Sequence, residues 1–460
     1  MSLLQSQNVS SKAPLWLYDL LLLGFCLGQM PRFLFEYFTT TKYKEDLGQR
    51  LGIYSPALRR QFRNLQPAAW IHAVSVGEVV AATPLIRELS ARYPDFPLII
   101  STVTRSGRQM VKKSLGPQGD QSIFLPFDFQ WITERVMRLI QPRFLLLTET
   151  EIWPNLIHSA ARHKAPIMLV NGRISSRSYQ RYRLVRSWLR PVLDKIRVFG
   201  MQSDRDAARI ISLGADPKRV FVTGNLKFDQ AASRISPLEQ ESLAQGLRLS
   251  ADAALLVAGS THRGEEEVLI GIYRQLLSQF PNLALLIAPR YLPQAQAIEA
   301  LCRQAGVHCE RKSLLLQGQS LKPADSQKVG RLIILDTIGE LSKMYSLATV
   351  VFVGGSLVPV GGHNLLEPAT YGKPVLFGPY IDNFRQISEL LKGCGAGFEV
   401  KSGQELKAKI EELLQDRAAR DQAGRAAWLA VEENRGATGK TIDLIERYVI
   451  KPESKLVGYE

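Results

Sequence analysis

The chain has 460 residues, 45% of them hydrophobic and 22% charged, with a formal net charge of +15. This is ordinary globular composition with room for about two to three domains, and it excludes a disordered or low-complexity chain. Four cysteines without a C-x-x-C pair or a Cys/His cluster argue against a disulfide framework or structural zinc and for a reducing compartment. The basic balance points to a polyanionic partner, whether nucleic acid, anionic lipid or a phosphate-bearing substrate, without choosing among them.

The first element is the apolar stretch APLWLYDLLLLGFCLGQMPRFLFEYF, Ala13 to Phe38, interrupted by Asp19 and Gln29. A clean span needs ~20 apolar residues, and no small-residue site marks a cleaved signal peptide. Residues 1–40 read as an uncleaved membrane anchor or an interfacial helix, with a buried core helix as the bland alternative. Lys42, Lys44, Arg50, Arg59 and Arg60 follow the stretch and Lys12 alone precedes it. The positive-inside rule then places the body of the protein in the cytoplasm.

Apolar strands alternate with amphipathic helices beyond this point. AAWIHAVSV, FPLIISTVT, RFLLLTETE, APIMLVNGR and RVFGMQSD read as strands, and EVVAATPLIRELSARY, ERVMRLI, SYQRYRLVRSWLRPVLDKI and RDAARIISLGA as helices. Past the polar linker QAASRISPLEQES a second series begins, with strands ALLVAGST, ALLIAPR, RLIILDT, TVVFVGGS and PVLFGP. Continuous apolar strands separated by helices predict α/β domains with doubly wound parallel sheets. The expected division is 41–229 and 230–460, with a C-terminal helix free to cross back. Ligands in such sheets bind beyond the C-terminal strand ends, here in a cleft between the domains.

The informative residues sit at those strand ends. Glu78 follows the first strand and belongs to a capping box, Ser75-x-x-Glu78, in which its carboxylate reaches back to the Ser75 amide and the helix dipole keeps it ionised. Glu149 and Glu151 in TETEIWPN are two apart, so in extended chain only one faces the cleft. Lys227 stands in GNLKFD where the first sheet ends. Ser260 and Thr261 are placed to cap the helix after AGSTHRGEE. Arg290, in APRY, is a natural phosphate partner. Gly361 and Gly362 permit positive φ and close approach of a ligand to the backbone; His363 and Asn364 follow, and Asn364 opens a short helix suited to an anion, with Glu367 placed for a ribose diol. In DTIGEL, Ile338 is placed to cover a base while Gly339 and Glu340 touch a sugar. Between Ile152 and Leu193 there is no acid, but eight Arg and Lys residues with Tyr179, Tyr182 and Trp188 interleaved, a pattern suited to an anionic membrane or nucleic acid. GATGKT, Gly436 to Thr441, imitates a P-loop, but Asn434 stands where that motif needs glycine and no strand precedes it. No nucleophilic triad can be assembled.

Together SVGE, TETEIWPN, QSDRDAARIISLGA, GNLKFD, AGSTHRGEE, APR, GGHNLLEP and FGPYIDNF resemble the Kdo transferases, the 3-deoxy-D-manno-octulosonic acid transferases of lipopolysaccharide synthesis. The resemblance runs from Ser75 to Phe384. It implies a GT-B fold, CMP-Kdo as donor, a lipid A precursor as acceptor, inversion, no metal or other cofactor, and an N-terminal anchor in the inner membrane with the enzyme at its cytoplasmic face. Anionic membrane lipid is then the expected partner and nucleic acid is not. Carried over, Glu78 looks like the general base and Glu149 and Lys227 like transition-state stabilisers. Pro289, Arg290, Ile338, Gly339, Glu340, Asn364, Leu365, Leu366 and Glu367 look like the CMP contacts, with Ser260, Thr261, Gly361, Gly362 and His363 as further donor or phosphate contacts. Tyr291 stands where the family pattern leads one to expect His. The rivals are another GT-B transferase or a nucleotide-sugar epimerase, and a membrane-tethered nucleic-acid binder.

Overall fold

A computed structural model describes residues 15–39, 47–230, 235–250, 252–316 and 330–451. The chain forms two compact units, Met1–Gln230 with Arg435–Glu460, and Ala231–Asn434.

The first unit is built on β1 (Ala69–His72), β2 (Leu98–Thr102), β3 (Ser122–Phe124), β4 (Phe144–Thr148), β5 (Ile167–Gly172), β6 (Val198–Met201) and β7 (Val220–Val222), in the order β3-β2-β1-β4-β5-β6-β7. All pairs are parallel; Ala69 of β1 lies opposite Leu98 on one side and Phe144 on the other. Every residue of β1 to β6 is buried, because helices cover both faces and alternate side chains enter two cores. Trp70, Leu145, Leu147 and Phe199 point into one core, and Ile71, Leu146 and Val170 into the other. The second core also takes Ala437, Ile442 and Ile445 from the helix Ala437–Ile445. The expected stretch 230–460 is thus divided: its last part packs in the first unit. Asp229 accepts from Gly436 N at 2.7 Å and Thr438 N at 2.5 Å, filling the head of that helix with a carboxylate.

The second unit carries β8 (Ala254–Thr261), β9 (Leu283–Pro289), β10 (Cys309–Arg311), β11 (Leu332–Ile334), β12 (Val350–Val353), β13 (Val375–Phe377) and β14 (Gly397–Glu399), in the parallel order β10-β11-β9-β8-β12-β13-β14. Both sheets are doubly wound, as the apolar runs predict. The first reverses its strand order between β1 and β4 and the second between β8 and β12, with β11 inserted between β9 and the edge strand β10; a crevice for ligand opens at the C-terminal strand ends of such a reversal.

The N-terminal stretch is a helix, Leu15–Thr39, with Pro31 inside it. Among the described residues no helix is long and apolar enough to cross a membrane. The helix is held to the rest of the first unit by a hydrogen bond and a ring contact: Asn155 Nδ2 donates to Asp19 Oδ1 at 2.6 Å, and the Tyr18 and Trp188 rings meet at 5.4 Å. Asp19, which breaks the apolar run in sequence, is a docking residue. Leu20, Leu21 and Phe25 remain well exposed. Lys12, Lys42 and Lys44, part of the orientation argument, lie outside the described residues. The basic stretch expected as one helix is two, Ser176–Leu184 and Arg186–Leu193, which break at Val185 where φ is −113° and ψ 22°.

Candidate active site

Three carboxylates gather where the first sheet reverses. Glu78 is the third residue of the helix Val76–Arg92, which leaves β1. Ser75 Oγ accepts from Glu78 N at 3.4 Å and donates to Glu78 Oε1 at 3.1 Å. Glu78 Oε2 accepts from Val74 N at 2.9 Å and from Thr148 Oγ1 at 3.0 Å. The capping box is therefore altered: the carboxylate reaches Val74, one residue beyond the expected amide, and is also bridged to β4. Burial pushes the Glu78 carboxyl above its usual range, and the charges of Glu149 and Glu151 push the same way against the bonds from Val74 and Thr148. The dipole of the Val76–Arg92 helix acts the other way and favours the ionised form, as expected.

Glu149 and Glu151 both approach Glu78, where alternation in an extended strand admits only one. The chain leaves the strand conformation at Glu149, whose φ is 52°, so alternation no longer applies. Arg173 lies 3.8 Å from Glu149 Oε2. Glu151 Oε2 accepts from Trp153 Nε1 at 2.7 Å and lies 3.8 Å from Nε2 of the fully buried His72. Lys227 belongs to the turn Leu226–Gln230, which packs against the Glu78 helix. An amide network fixes that turn: Leu226 N donates to Asn171 Oδ1 at 3.0 Å, Gln202 Nε2 to Asn171 O at 2.9 Å and Asn225 Nδ2 to Gln202 Oε1 at 3.1 Å. Asn171, Gln202 and Asn225 were not singled out from sequence, although each ends a strand or follows one within a few residues.

In the second unit the reversal between β8 and β12 holds a second cluster. Its organiser is Glu265, 1% exposed. Glu265 Oε2 accepts from His262 N at 2.9 Å and Gly355 N at 2.8 Å, and Oε1 from Ser356 N and Leu357 N at 3.0 Å each. A row of backbone donors suited to an anion is thus filled by the protein's own carboxylate. Sequence reading passed over Glu265, because three of its four partners lie some 90 residues on. Ser260 and Thr261 do not cap the following helix Glu265–Leu276, whose N-cap is Gly264. They end β8, with Ser260 at φ 55° in a bulge, and Thr261 O accepts from Arg290 N at 2.9 Å. That bond, with Pro289 closing β9, fixes the Arg290 backbone.

His262 and His363 share a hydrogen bond between their Nε2 atoms at 2.8 Å, with rings 5° from parallel. Tyr291 sets its edge against His262 at 5.7 Å, which gives this position a role as a ring support. Burial lowers both histidines, His363 to about 4, and the Arg290 charge acts in the same sense on each. The pair is neutral at physiological pH, one ring donating and the other accepting. Gly361 and Gly362 have the expected positive φ, 101° and 75°. A Cβ there would lie 2.7 Å from Asn383 Nδ2 or 2.1 Å from Ile381 Cδ1, so the close approach they permit is to the chain's own Ile381–Asn383 turn and not to a ligand.

The short helix is Leu366–Thr370, starting after Asn364 and Leu365. Asn364 Oδ1 accepts from Leu366 N at 3.1 Å, so one of the amides expected for an anion is taken, and Asn364 Nδ2 donates to Glu367 Oε1 at 3.0 Å. Burial raises the Glu367 carboxyl, opposed by Asn364 and by Arg290. Arg290, His363 and Glu367 are thus electrostatically coupled. Ile338, Gly339 and Glu340 form a separate turn after β11. Ile338 is 76% exposed, so its side chain is displayed at the strand ends. Glu340 accepts from Lys312 Nζ and Thr337 Oγ1. Burial pushes its carboxyl up, but those two bonds outweigh it and leave it below its usual range.

Comparison with known proteins places the chain in a family. A family model described as 3-deoxy-D-manno-octulosonic-acid transferase (kdotransferase) matches residues 45–230. A 3-deoxy-D-manno-octulosonic acid transferase of Haemophilus influenzae is 33% identical over 412 residues, covering 89% of this chain and 92% of that protein. The enzyme of the same name from Chlamydophila psittaci is 31% identical over 444 residues, covering 95% and 98%. A crystal structure of a UDP-N-acetylglucosamine 2-epimerase superimposes with a TM-score of 0.53 at 14% identity, over 84% of this chain and 97% of that one, which shows a shared GT-B-like fold and nothing of substrate. With that relatedness along nearly its whole length, the chain belongs to the 3-deoxy-D-manno-octulosonic acid transferases, glycosyltransferases of lipopolysaccharide biosynthesis.

Proposed function

We propose that this protein transfers Kdo from CMP-Kdo to a phosphorylated, acylated lipid A precursor, with inversion and without a metal, at the cytoplasmic face of the inner membrane. The observation that carries the reading is the setting of Glu78: a carboxylate at the β1/β4 reversal, oriented by Val74, Ser75 and Thr148, with its proton affinity raised by burial and two neighbouring acids. A sugar hydroxyl is a poor nucleophile until a base takes its proton as the new bond forms. A base whose affinity lies closer to neutrality takes that proton more readily than an ordinary surface glutamate. The acceptor oxygen attacks the anomeric carbon while the bond from that carbon to the CMP phosphate oxygen breaks and CMP leaves with the electron pair. One displacement without a covalent intermediate gives inversion.

Oxocarbenium character at the anomeric carbon is stabilised by nearby negative charge, the role assigned to Glu149. A single phosphate leaves, and Arg290 is assigned the positive charge its departure requires, while Lys227 is assigned to charge that develops in the transition state. In the second unit, Arg290 and Glu367 flank the position assigned to phosphate and ribose, and Ile338 offers an apolar face for the base. Asn364, Leu365 and Leu366 shape the wall behind Glu367, and the neutral His262–His363 pair lies beside Arg290. The N-terminal helix, tethered through Asp19 and exposing leucines and Phe25, is assigned to the bilayer interface.

The test is product analysis by mass spectrometry with CMP-Kdo and a tetra-acylated lipid A precursor. Stepwise mass additions of Kdo are expected. Turnover of UDP-sugars in place of CMP-Kdo sinks the reading in favour of another nucleotide-sugar enzyme.

A further inference from the structure

Beside the three carboxylates, the first unit contains a cavity of about 330 Å³ that the proposed chemistry does not use. It begins at Thr150 and Glu151, in the loop that follows β4 and carries Glu149. It then runs between the N-terminal helix, the start of the helix Pro154–Arg162 and the two basic helices. Its walls are Tyr18, Ile152, Trp153, Tyr182, Trp188 and Leu189, with Val185 at the side. Polar atoms at the catalytic end are already engaged: Trp153 Nε1 donates to Glu151, and Thr150 Oγ1 donates to Arg173 O at 2.7 Å. The Tyr18 hydroxyl bonds to the buried Asp128, which also accepts from Asn155 N and Leu156 N at 3.1 and 2.7 Å. What faces the cavity is therefore mainly ring and aliphatic surface. At the small end of ligand-pocket size (~300–1,000 Å³), it suits one hydrocarbon segment and not a disaccharide.

The surroundings restrict whose hydrocarbon this is. Glu151, in the wall, is close enough to Glu78 to raise its proton affinity. A molecule with a chain in the cavity therefore has its polar end near Glu78, Glu149 and Glu151. Three acids repel the phosphate of a bilayer phospholipid placed there and favour the hydroxyl and amide donors of an amino sugar. On the outer side, Leu184 is 86% and Val185 44% exposed, amid the exposed Arg177, Arg181, Arg183 and Arg186. Cations there can meet a phosphate at some distance from the reacting hydroxyl.

We propose that this cavity receives one acyl chain of the glycolipid acceptor and thereby orients the acceptor sugar toward Glu78. The inference rests on the acceptor reading above. It adds a specificity element made of the docked N-terminal helix, through Tyr18, and the aromatic residues of the basic stretch.

The test compares a tetra-acylated precursor with the same bisphosphorylated disaccharide stripped of its chains. Val185→Trp, which fills the cavity from its side, is expected to raise KM for the acylated acceptor about tenfold more than for the stripped one, with kcat little changed, the mark of lost ground-state binding. Trp188→Leu gives the same split by removing wall surface, and replaces Val185→Trp should that variant fold poorly. Independently of turnover, a precursor with brominated chains is expected to quench Trp153 and Trp188 fluorescence, and the Trp153→Phe/Trp188→Phe protein is expected to lose that share of quenching. Equal KM changes for both acceptors, or wild-type enzyme using the stripped acceptor as well as the acylated one, overturns the cavity proposal alone. Quenching by brominated phospholipid that the precursor does not relieve assigns the cavity to bilayer lipid and also overturns it. Absence of transfer to either acceptor instead sinks the underlying acceptor reading.

Discussion

Glu78, the proposed general base, is held at its helix start through both oxygens, Oε1 by Ser75 and Oε2 by Val74 and Thr148. Glutamine keeps an acceptor for Val74 N–H but has no proton affinity of use, so Glu78→Gln is expected to remain folded and lose about 10²–10⁴ in transfer rate. Mass-spectrometric product counts check the rate and circular dichroism the fold. The raised proton affinity also makes a stability prediction. A carboxyl whose folded pKa exceeds its unfolded one stabilises the fold while protonated, and that contribution is lost as pH rises through the folded value. Thermal melts should therefore show Glu78→Gln gaining stability over wild type as pH rises from about 4 toward neutrality; a constant difference across that range would show that burial of this charge costs nothing. The opposite slope belongs to His363, lowered to about 4 by burial, Arg290 and His262. The unfolded chain takes up its proton first, so stability falls as pH drops from the usual histidine range toward about 4, and His363→Asn is expected to flatten that slope. Glu265 carries no proposed chemistry but accepts four backbone bonds. Glu265→Gln turns an NH₂ toward two of those donors, at about 1–3 kcal/mol for each donor left unsatisfied. The expected readout is a lower Tm together with a raised KM for CMP-Kdo, whereas KM for the acceptor stays put.

At the scale of elements, the interior strands of both sheets were plain in the sequence and four strands were not. Those four, β3, β7, β10 and β14, are the edges of the two sheets and have three residues each. Of the four only β7, Val220–Val222, is an unbroken apolar run, and three residues are too few to mark a strand; pairing with a neighbour, not composition, defines such an edge. Edge amides can also be satisfied by remote chain, as when Phe124 N donates to Gln49 Oε1 at 3.0 Å. Helix starts divide in the same way. Ser75, Thr104, Ser203 and Ser402 cap locally and are legible as caps. The helix Pro154–Arg162 has no cap of its own and is capped by Asp128, and the helix Ala437–Ile445 by Asp229. Asp229→Ala removes two bonds to a helix start and is expected to cost about 0.5–2 kcal/mol, the range for lost N-caps. Denaturant melts of the full chain check this; an unchanged midpoint would mean that buried Ile442 and Ile445 hold the returning segment without the cap.

For the whole molecule, a charge of +15 and an exposed apolar helix both suit the anionic membrane surface proposed above. Binding to anionic vesicles is expected to weaken as salt rises, since the polybasic contribution is screened within a Debye length. Phe25→Asp is expected to leave a weaker, wholly salt-sensitive remainder; co-sedimentation at two ionic strengths separates the two contributions. Composition, apolar periodicity and glycine-marked turns were enough to determine two doubly wound α/β domains, because these follow from the local rules of burial and backbone freedom. They also placed Glu78, Glu149 and Arg290 at strand ends, where open sheets bind ligands. Only the tertiary structure decided that Glu151 joins Glu78 and Glu149, that Glu265 fills the turn beyond β12, that Gly361 and Gly362 admit the chain's own Ile381 and Asn383, and that the anticipated return to the first unit begins at Arg435. Each of those outcomes depends on a bond, a charge or a close contact between residues brought together through space, and separation along the chain carries no record of such a distance.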